Sequence, residues 1–277
     1  MPEQSVNDRV FKIMDYTLVV DAAACIPKTF FSLVDIVQIP PTPSLYTAHE
    51  SIPSLLTNTE HETAKTVEEL LEEIIKQQKN PIIYFRIDDG FTHNNSDHDS
   101  KLKILASKYD LQIVPTNHAL MGCGWQAIHT SEVLEQSGTM KEALDQVKIL
   151  QQSIRVVAFV EHPELLSISG NAELGLEKNR IITNITGSEN EILCRIPSRN
   201  DALIYFRDYC TDQISSLQSP RIAIHHAATY PAASALEKWL QQKLPHAETY
   251  ISPLTRQATA KFGPRMLALA WYDAPKI

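Results

Sequence analysis

The stretch YTLVVD, residues 16–21, is a continuous apolar run that ends in an acidic residue. A run of this kind is typical of a strand that is buried on both faces of a parallel sheet. The segment PIIYFRI, residues 81–87, predicts a second strand, and helical patterns lie between and beyond the two. Parallel strands need crossover connections, so this alternation predicts an α/β fold with right-handed crossovers.

Capping signals mark the helices of this first half. Thr66 and Glu69 form a capping box ahead of an apolar helical face, and Thr139 and Glu142 form another. Further helices are predicted at residues 101–108 and 118–136, and further strands at residues 34–39 and 111–114. The first half therefore predicts a mainly parallel sheet flanked by helices.

The pattern changes at about Arg155. Residues 180–186 and 191–196, joined by Gly187-Ser188, predict a β-hairpin, and further strands and two helices follow. We therefore predict a domain boundary near residue 154. An N-terminal α/β domain is expected at residues 1–154 and a C-terminal α/β domain with the hairpin at residues 155–277.

Composition argues against several classes of protein. The net charge of −8 argues against a phosphate-binding face, such as that of a nucleic-acid-binding protein, and against docking on anionic membranes. The longest apolar runs are strand-sized, which argues against membrane insertion, and the polar N-terminus shows no secretory signal. We therefore expect a cytoplasmic protein.

Cysteines and catalytic motifs give no sign of covalent chemistry. The four cysteines lie far apart in the sequence and form no CxxC, so reduced and mostly buried thiols are expected rather than metal ligands. The sequence contains no GxSxG, P-loop or HExxH motif. We expect a binding protein rather than an enzyme, with no cofactor and no metal. The cysteines are Cys25, Cys123, Cys194 and Cys210.

The most polar segment is RIDDGFTHNNSDHDS, residues 86–100, which follows a predicted strand. Ligands of open α/β sheets bind at the carboxyl ends of strands, which makes Thr92, His93 and Asn94 candidate ligand residues. A solvated loop with Ser96 or Asp97 as a helix cap is one alternative. The other alternative is a metal site built from Asp88, Asp89, His93, Asp97, His98 and Asp99.

A histidine pair, His225 and His226, follows another predicted strand and precedes an alanine-rich turn. The favoured interpretation is a partly buried, hydrogen-bonded pair. A proton shuttle or a ligand role is the alternative.

Three segments carry a family resemblance: VVDAAACIP at residues 19–27, ALMGCGWQA at residues 119–127, and FGPRMLALAWY at residues 262–272. In this order they resemble the DegV family, bacterial proteins that bind fatty acids. That family has a first strand ending in Asp-Ser-Thr-Ala before Leu-Pro, a helix with a Gly-x-Gly entry, and a Gly-Pro-Gly turn before its last strand. The resemblance covers nearly the whole chain. It implies two α/β domains with a fatty acid in an apolar tunnel between them.

The polar site residues of the family are largely replaced here. Its Thr-Ser-Gln-Pro loop aligns with Glu62-Thr63-Ala64-Lys65, which puts Glu62 at the threonine, and a shift of one residue puts Thr63 there instead. Its Ser-Gly-Thr loop aligns with Thr92-His93-Asn94, and its Gly-Gly-Arg with Ser169-Gly170-Asn171. Lys261 stands where the family has a histidine, and Arg265 stands at the second glycine of Gly-Pro-Gly. Thr63 and Thr92 can still offer hydroxyls to a carboxylate. Glu62 repels such a group, whereas Lys261 and Arg265 attract it.

The resemblance implies a lipid-binding protein that holds a fatty acid or a similar amphipathic carboxylate between its domains. Some family members present acyl chains to a kinase that phosphorylates the carboxyl group, so a kinase subunit is a candidate partner. One alternative is a degenerate relative with an altered or empty pocket that acts as an interaction or regulatory protein. Another is a metal-assisted enzyme that uses residues 88–99. The ligand residues expected are Thr63, Thr92, His93, Asn94, Lys261 and Arg265.

Overall fold

A computed structural model describes most of the chain. The described residues are 16–31, 36–39, 67–77, 80–87, 96–136, 139–163, 179–186, 189–255, 258–259 and 262–275. Within them the chain forms two sheets, each covered by helices. None of the helices in these ranges combines the length and apolar character that crossing a membrane requires.

Sheet A is built from the first four strands, which are all parallel, in the order β2-β1-β3-β4. The mainly parallel sheet flanked by helices is therefore confirmed. The strands are β1 (Thr17–Asp21), β2 (Ile36–Ile39), β3 (Ile82–Ile87) and β4 (Leu111–Thr116). The accompanying helices are α1 (Lys28–Phe31), α2 (Val67–Gln77) and α3 (Ser96–Lys108).

Sheet B has six strands in the order β7-β6-β5-β10-β8-β9. Its neighbours are antiparallel except for β8 and β9, which are parallel and joined by a helix. The predicted hairpin is present as β6 and β7. The strands are β5 (Arg155–Val160), β6 (Arg180–Thr186), β7 (Glu189–Ile196), β8 (Pro220–His226), β9 (Glu248–Pro253) and β10 (Leu267–Asp273).

Four more helices lie in the described ranges. They are α4 (Met121–Glu135), α5 (Met140–Ser153), α6 (Arg199–Ser215) and α7 (Tyr230–Lys243). The capping box predicted for α5 is present, because Thr139 accepts a hydrogen bond from the backbone of Glu142 and the Glu142 carboxylate accepts one from the backbone of Thr139. Helix α3 begins at Ser96, earlier than its apolar pattern indicated, because its first turn is wholly polar.

Three apolar cores organise these elements into layers. Helices α2 and α3 cover the outer face of sheet A, and helices α6 and α7 cover the outer face of sheet B. The third core lies between the two sheets, where Phe85 of sheet A and Ala270 of sheet B share a cluster with Trp125 of α4. Helix α4 is buried on nearly every side, which is why its sequence shows no single apolar face. The boundary at residue 154 stays a prediction.

Candidate ligand site between the two sheets

Most of the predicted ligand residues lie outside the described residues: Thr63, Thr92, His93, Asn94 and Lys261. Arg265 is described. It is exposed, its backbone has the left-handed φ of 60°, and its amide donates to the carbonyl of Ala227 at 2.8 Å. The described part of the site therefore consists of residues that flank these segments in the sequence.

The amino end of α4 is tied to sheet B by His225. The backbone amide of Met121 donates to Nε2 of His225 at 3.2 Å, and the histidine is fully buried. Burial, and to a lesser extent the neighbouring His226, lowers the pKa of His225 from 6.5 to about 3. The ring is therefore neutral at pH 7 and able to accept the amide. The hydrogen-bonded role favoured from the sequence fits His225.

His226 shares one feature with its neighbour. It is 8% exposed, and its Nδ1, like that of His225, is buried without a hydrogen-bond partner among the described residues. Burial lowers its pKa as well. The two histidines point to opposite sides of sheet B because consecutive side chains of a strand alternate. His225 therefore belongs to the layer between the sheets, and His226 belongs to the side of α7.

The loop after β1 is held against the end of β9. The hydroxyl of Ser252 donates to the Cys25 carbonyl at 2.6 Å, and the amide of Thr255 donates to Cys25 Sγ at 3.3 Å. Burial raises the pKa of the Cys25 thiol to about 11, so it stays protonated. Cys25 therefore joins the two halves of the molecule.

Left-handed backbone is concentrated in the loops that meet here. The non-glycine residues with positive φ are Cys25 (50°), Leu120 (51°), Ala228 (52°) and Arg265 (60°), among the residues described. Gly263, with φ of 84°, lies in the same final turn as Arg265. Each non-glycine residue of this kind costs free energy, and such residues collect at ligand sites. Four of these positions lack glycine, and only Arg265, which aligns with a glycine of the family, carries a signal of this backbone conformation in the sequence.

Two glycines allow α4 to enter the junction closely. A Cβ atom at Gly122 would stand 2.6 Å from Cβ of His118 and 2.8 Å from Cγ2 of Val156 on β5. A Cβ atom at Gly124 would stand 3.0 Å from Ile26, in the loop after β1. The Gly-x-Gly entry is thus explained by packing against both halves of the chain.

An aromatic group fills the layer between the sheets beside α4. Trp125 is in contact with Phe30 of α1, Tyr250 of β9 and Tyr272 of β10, with ring centroids 5.2 to 5.9 Å apart. The Trp125 indole donates to the Ala270 carbonyl at 3.0 Å. These rings give the junction a rigid apolar wall with its polar atom satisfied.

A charged cluster lies at the carboxyl end of β5. Glu161 is buried, and its two carboxylate oxygens accept from Arg180 at 2.9 Å and from Arg199 at 2.6 Å. This cluster precedes the segment that carries Ser169-Gly170-Asn171, which lies outside the described residues. No sequence motif indicates this cluster, because its three residues are far apart in the chain.

The alternative metal site gains no support from the described residues. Asp99 instead pairs with Arg86 at 2.5 Å, and no group of three His, Cys, Asp or Glu side chains in the described ranges is arranged to hold a metal ion. Asp88, Asp89 and His93 lie outside those ranges, and so do the side chains of Asp97 and His98.

Comparison with solved structures identifies the fold. DegV, a fatty acid binding protein from Bacillus subtilis, superposes with a TM-score of 0.75 at 16% identity, over 94% of this chain and 100% of that one. A stearic acid-binding protein from Eubacterium ventriosum gives 0.76 at 11% identity, over 93% and 98%. A DegV family protein from Eubacterium eligens loaded with heptadecanoic acid gives 0.72 at 12% identity, over 94% and 100%.

Comparison at the level of sequence agrees with the fold. A search of curated proteins gives no match. The model of the DegV family, a family of uncharacterised proteins, matches residues 47–274. This range includes the hairpin, the Gly-x-Gly entry of α4 and the final turn. The chain therefore belongs to the DegV family.

Proposed function

We propose that this protein holds a fatty acid or a similar amphipathic carboxylate between sheet A and sheet B. The family match over residues 47–274 carries the proposal. Support comes from proteins of the same fold that are described as binding stearic acid or as loaded with heptadecanoic acid. The composition supports it too, since an acyl chain needs an apolar site and the layer between the sheets is apolar.

The polar end of the ligand is proposed to lie at the carboxyl ends of the strands of sheet A. Ile87 ends β3, and Phe262 begins the final turn; both belong to the core between the sheets. Thr92 follows Ile87 by five residues, and Lys261 immediately precedes Phe262. The loops with these two candidates therefore leave from the same core, which favours a shared site. Carboxyl ends of parallel strands are also the usual place for ligands in such sheets.

We propose Thr63, Thr92, His93, Asn94 and Lys261 as the residues that hold the carboxylate. Hydroxyl, imidazole and amide groups offer hydrogen bonds, and Lys261 offers charge. Arg265 is exposed, so its contribution would be that of a nearby positive charge. Glu62 opposes binding of an anion, and the basic residues are proposed to offset it.

Binding without covalent chemistry is also part of the proposal. Burial raises the pKa of Cys25 to about 11 and that of Cys123 to about 12, so neither thiol is a ready nucleophile. Cys25, Cys123 and Cys210 are buried free thiols, which supports the expectation of a reducing, cytoplasmic location. A kinase subunit that acts on the bound carboxylate is the proposed partner, supported by the family resemblance.

Native mass spectrometry of the purified protein tests the proposal, followed by removal of bound lipid and titration with fatty acids of several chain lengths. We expect an acyl-sized mass and saturable uptake of one fatty acid. Replacing Thr92 and Thr63 with valine should weaken uptake, whereas Thr211→Val on α6, far from sheet A, should leave it unchanged. A protein that neither carries nor takes up an acyl chain contradicts the proposal and favours the interaction or regulatory role.

A further inference from the structure

The loop between β8 and α7 has backbone donors for which the described residues provide no acceptor. The amide of Ala227 is used, since it donates to the Met266 carbonyl, and the amides of Ala232 and Ala233 donate to Thr229. The amides of residues 228, 229 and 230 form no hydrogen bond within the described residues. Ala228 has a left-handed φ of 52°, and Thr229 makes no side-chain cap. Successive free amides in a turn of alternating hand form a concavity that suits an anion.

His226 supplies a second and independent feature of this loop. Its ring packs edge-on against the ring of Tyr230, the first residue of α7, with centroids 5.7 Å apart. It is 8% exposed, and its Nδ1 has no partner in the described part of the chain. A buried polar atom without a partner is costly, so a hydrogen-bonding group from outside the protein would relieve that cost. Because burial lowers the pKa of His226, the ring is neutral and one nitrogen carries a proton to donate.

The position of the loop in the fold adds to these two features. Strands β8 and β9 are parallel and α7 connects them, so the loop lies at the carboxyl end of β8 and at the amino end of a 14-residue helix. The helix dipole there favours negative charge. The exposed Arg265 is adjacent, since its amide donates to Ala227 at 2.8 Å, and it forms no ion pair among the described residues. The loop therefore offers amides, an imidazole and a nearby guanidinium.

We propose that the β8–α7 loop, residues 226–230, is a binding site for a phosphate-sized oxyanion. The amides of residues 228–230 hold the anion, His226 donates a side-chain hydrogen bond, and Arg265 contributes charge. The site lies at the end of sheet B on the side of α7, and of the residues proposed for the carboxylate site it shares only Arg265. The overall charge of −8 argues against a broad phosphate-binding face, whereas a single loop of amides needs no net positive charge.

The test is a titration of the full-length protein with inorganic phosphate at constant ionic strength, followed by nuclear magnetic resonance. Shifts are expected at the amides of residues 228–230 and at the His226 ring. His226→Leu should weaken phosphate binding about tenfold, the size expected for one strong hydrogen bond. The same variant should unfold at an unchanged or higher temperature in phosphate-free buffer, because leucine can keep the apolar contact with Tyr230 and His226 Nδ1 has no hydrogen bond to the described residues that would be lost. A lower unfolding temperature together with unchanged phosphate affinity would make His226 merely structural and overturn the proposal.

A second variant tests the contribution of the positive charge to phosphate binding without destabilising the fold. Arg265→Gly removes the guanidinium and also suits the left-handed backbone, so it should weaken phosphate binding without lowering stability. Lys238→Ala, an exposed residue farther along α7, is the matched control and should leave the affinity unchanged. Absence of any phosphate-dependent shift in residues 226–230 of the parent protein overturns the proposal.

Parallel titrations identify the source of the anion. Equal affinity for inorganic phosphate and a short alkyl phosphate supports a site that recognises the oxyanion alone. Tighter binding of the alkyl phosphate supports a phosphorylated organic ligand. Acetate that binds as tightly as phosphate contradicts the assignment to a phosphate-sized anion. Because none of these titrations involves a fatty acid, their outcome is independent of the lipid-binding proposal.

Discussion

Replacing His225 with glutamine is expected to remove part of the acid sensitivity of the fold. The histidine is fully buried and accepts the Met121 amide at 3.2 Å, which fastens α4 to sheet B. His225 can accept this hydrogen bond at Nε2 only when its ring is neutral. Protonation would place a charge in an apolar layer, next to the positive end of the helix dipole of α4. Glutamine can still accept the amide through its side-chain oxygen but cannot be protonated.

The magnitude follows from the pKa of His225, which burial lowers from 6.5 to about 3. Below pH 6.5 the unfolded chain binds a proton at this residue and the folded chain does not, so stability falls as the pH falls. The contribution is complete above pH 6.5 and declines until the pH reaches about 3. Each pH unit in this window is worth about 1.4 kcal/mol, so His225 alone accounts for at most about 5 kcal/mol.

Urea unfolding of both proteins at several pH values between 7.5 and 4.5 measures the effect. The slope of unfolding free energy against pH should be smaller in the variant by about 1 kcal/mol per pH unit. His118, whose pKa burial lowers to about 4, and the other buried histidines keep part of the slope in both proteins. His246→Gln, the same substitution at an exposed histidine, is the matched control. Equal slopes for His225→Gln and the parent would refute the reasoning.

Three further perturbations test the junction. Gly122→Ala should lower the free energy of unfolding in urea by about 2 kcal/mol, because the added Cβ would meet β5. Gly124→Ala should lower it by less, since the atom nearest to its Cβ belongs to the flexible end of the Met121 side chain. Glu132→Gln should lower the free energy of unfolding by about 1 to 2 kcal/mol, since it weakens the hydrogen bond of 2.6 Å that Arg221 donates to Glu132 near the carboxyl end of α4. Unchanged stability would show that this hydrogen bond does not hold α4 in place. A thiol reagent should modify Cys194 first in the native protein, because the other three cysteines are buried, and mass spectrometry of a Cys194→Ser variant would reveal any other reactive site.

Local signals in the sequence predicted the elements well where each element has one apolar face. The capping box at Thr139 marks the start of α5, and the pattern from Arg155 to Val160 matches β5. The sequence of helix α4 does not indicate which face is buried, because the helix buries polar as well as apolar residues. Thr130 and the Gln126 amide nitrogen donate to carbonyls of their own helix, and the Gln126 side-chain oxygen accepts from Gln151 of α5, so both residues can be buried between sheets.

The candidate site was much less predictable. The tie between His225 and Met121, and the tie between Cys25 and Thr255, join residues more than a hundred positions apart. These hydrogen bonds depend on tertiary packing, which the conformational propensities of single residues do not predict. The left-handed residues Leu120 and Ala228 carry no glycine signal either, because the surrounding contacts impose their backbone conformation.

The contacts of α4 lead to a prediction about the boundary at residue 154. Although α4 precedes that boundary, its Trp125 donates to Ala270 of β10, its Met121 amide donates to His225 of β8, and it covers one face of sheet B. A fragment of residues 155–277 would expose that face to water, and a fragment of residues 1–154 would expose α4.

We therefore expect neither fragment to unfold cooperatively alone, while the two co-expressed fragments assemble and unfold together in one transition near that of the intact chain. Circular dichroism melts of the fragments, their mixture and the intact protein measure this. Cooperative unfolding of residues 155–277 alone, within a few degrees of the intact protein, would show instead that sheet B is stable without α4. The boundary would then separate two independently folding domains, and the shared layer would be an interface rather than a common core.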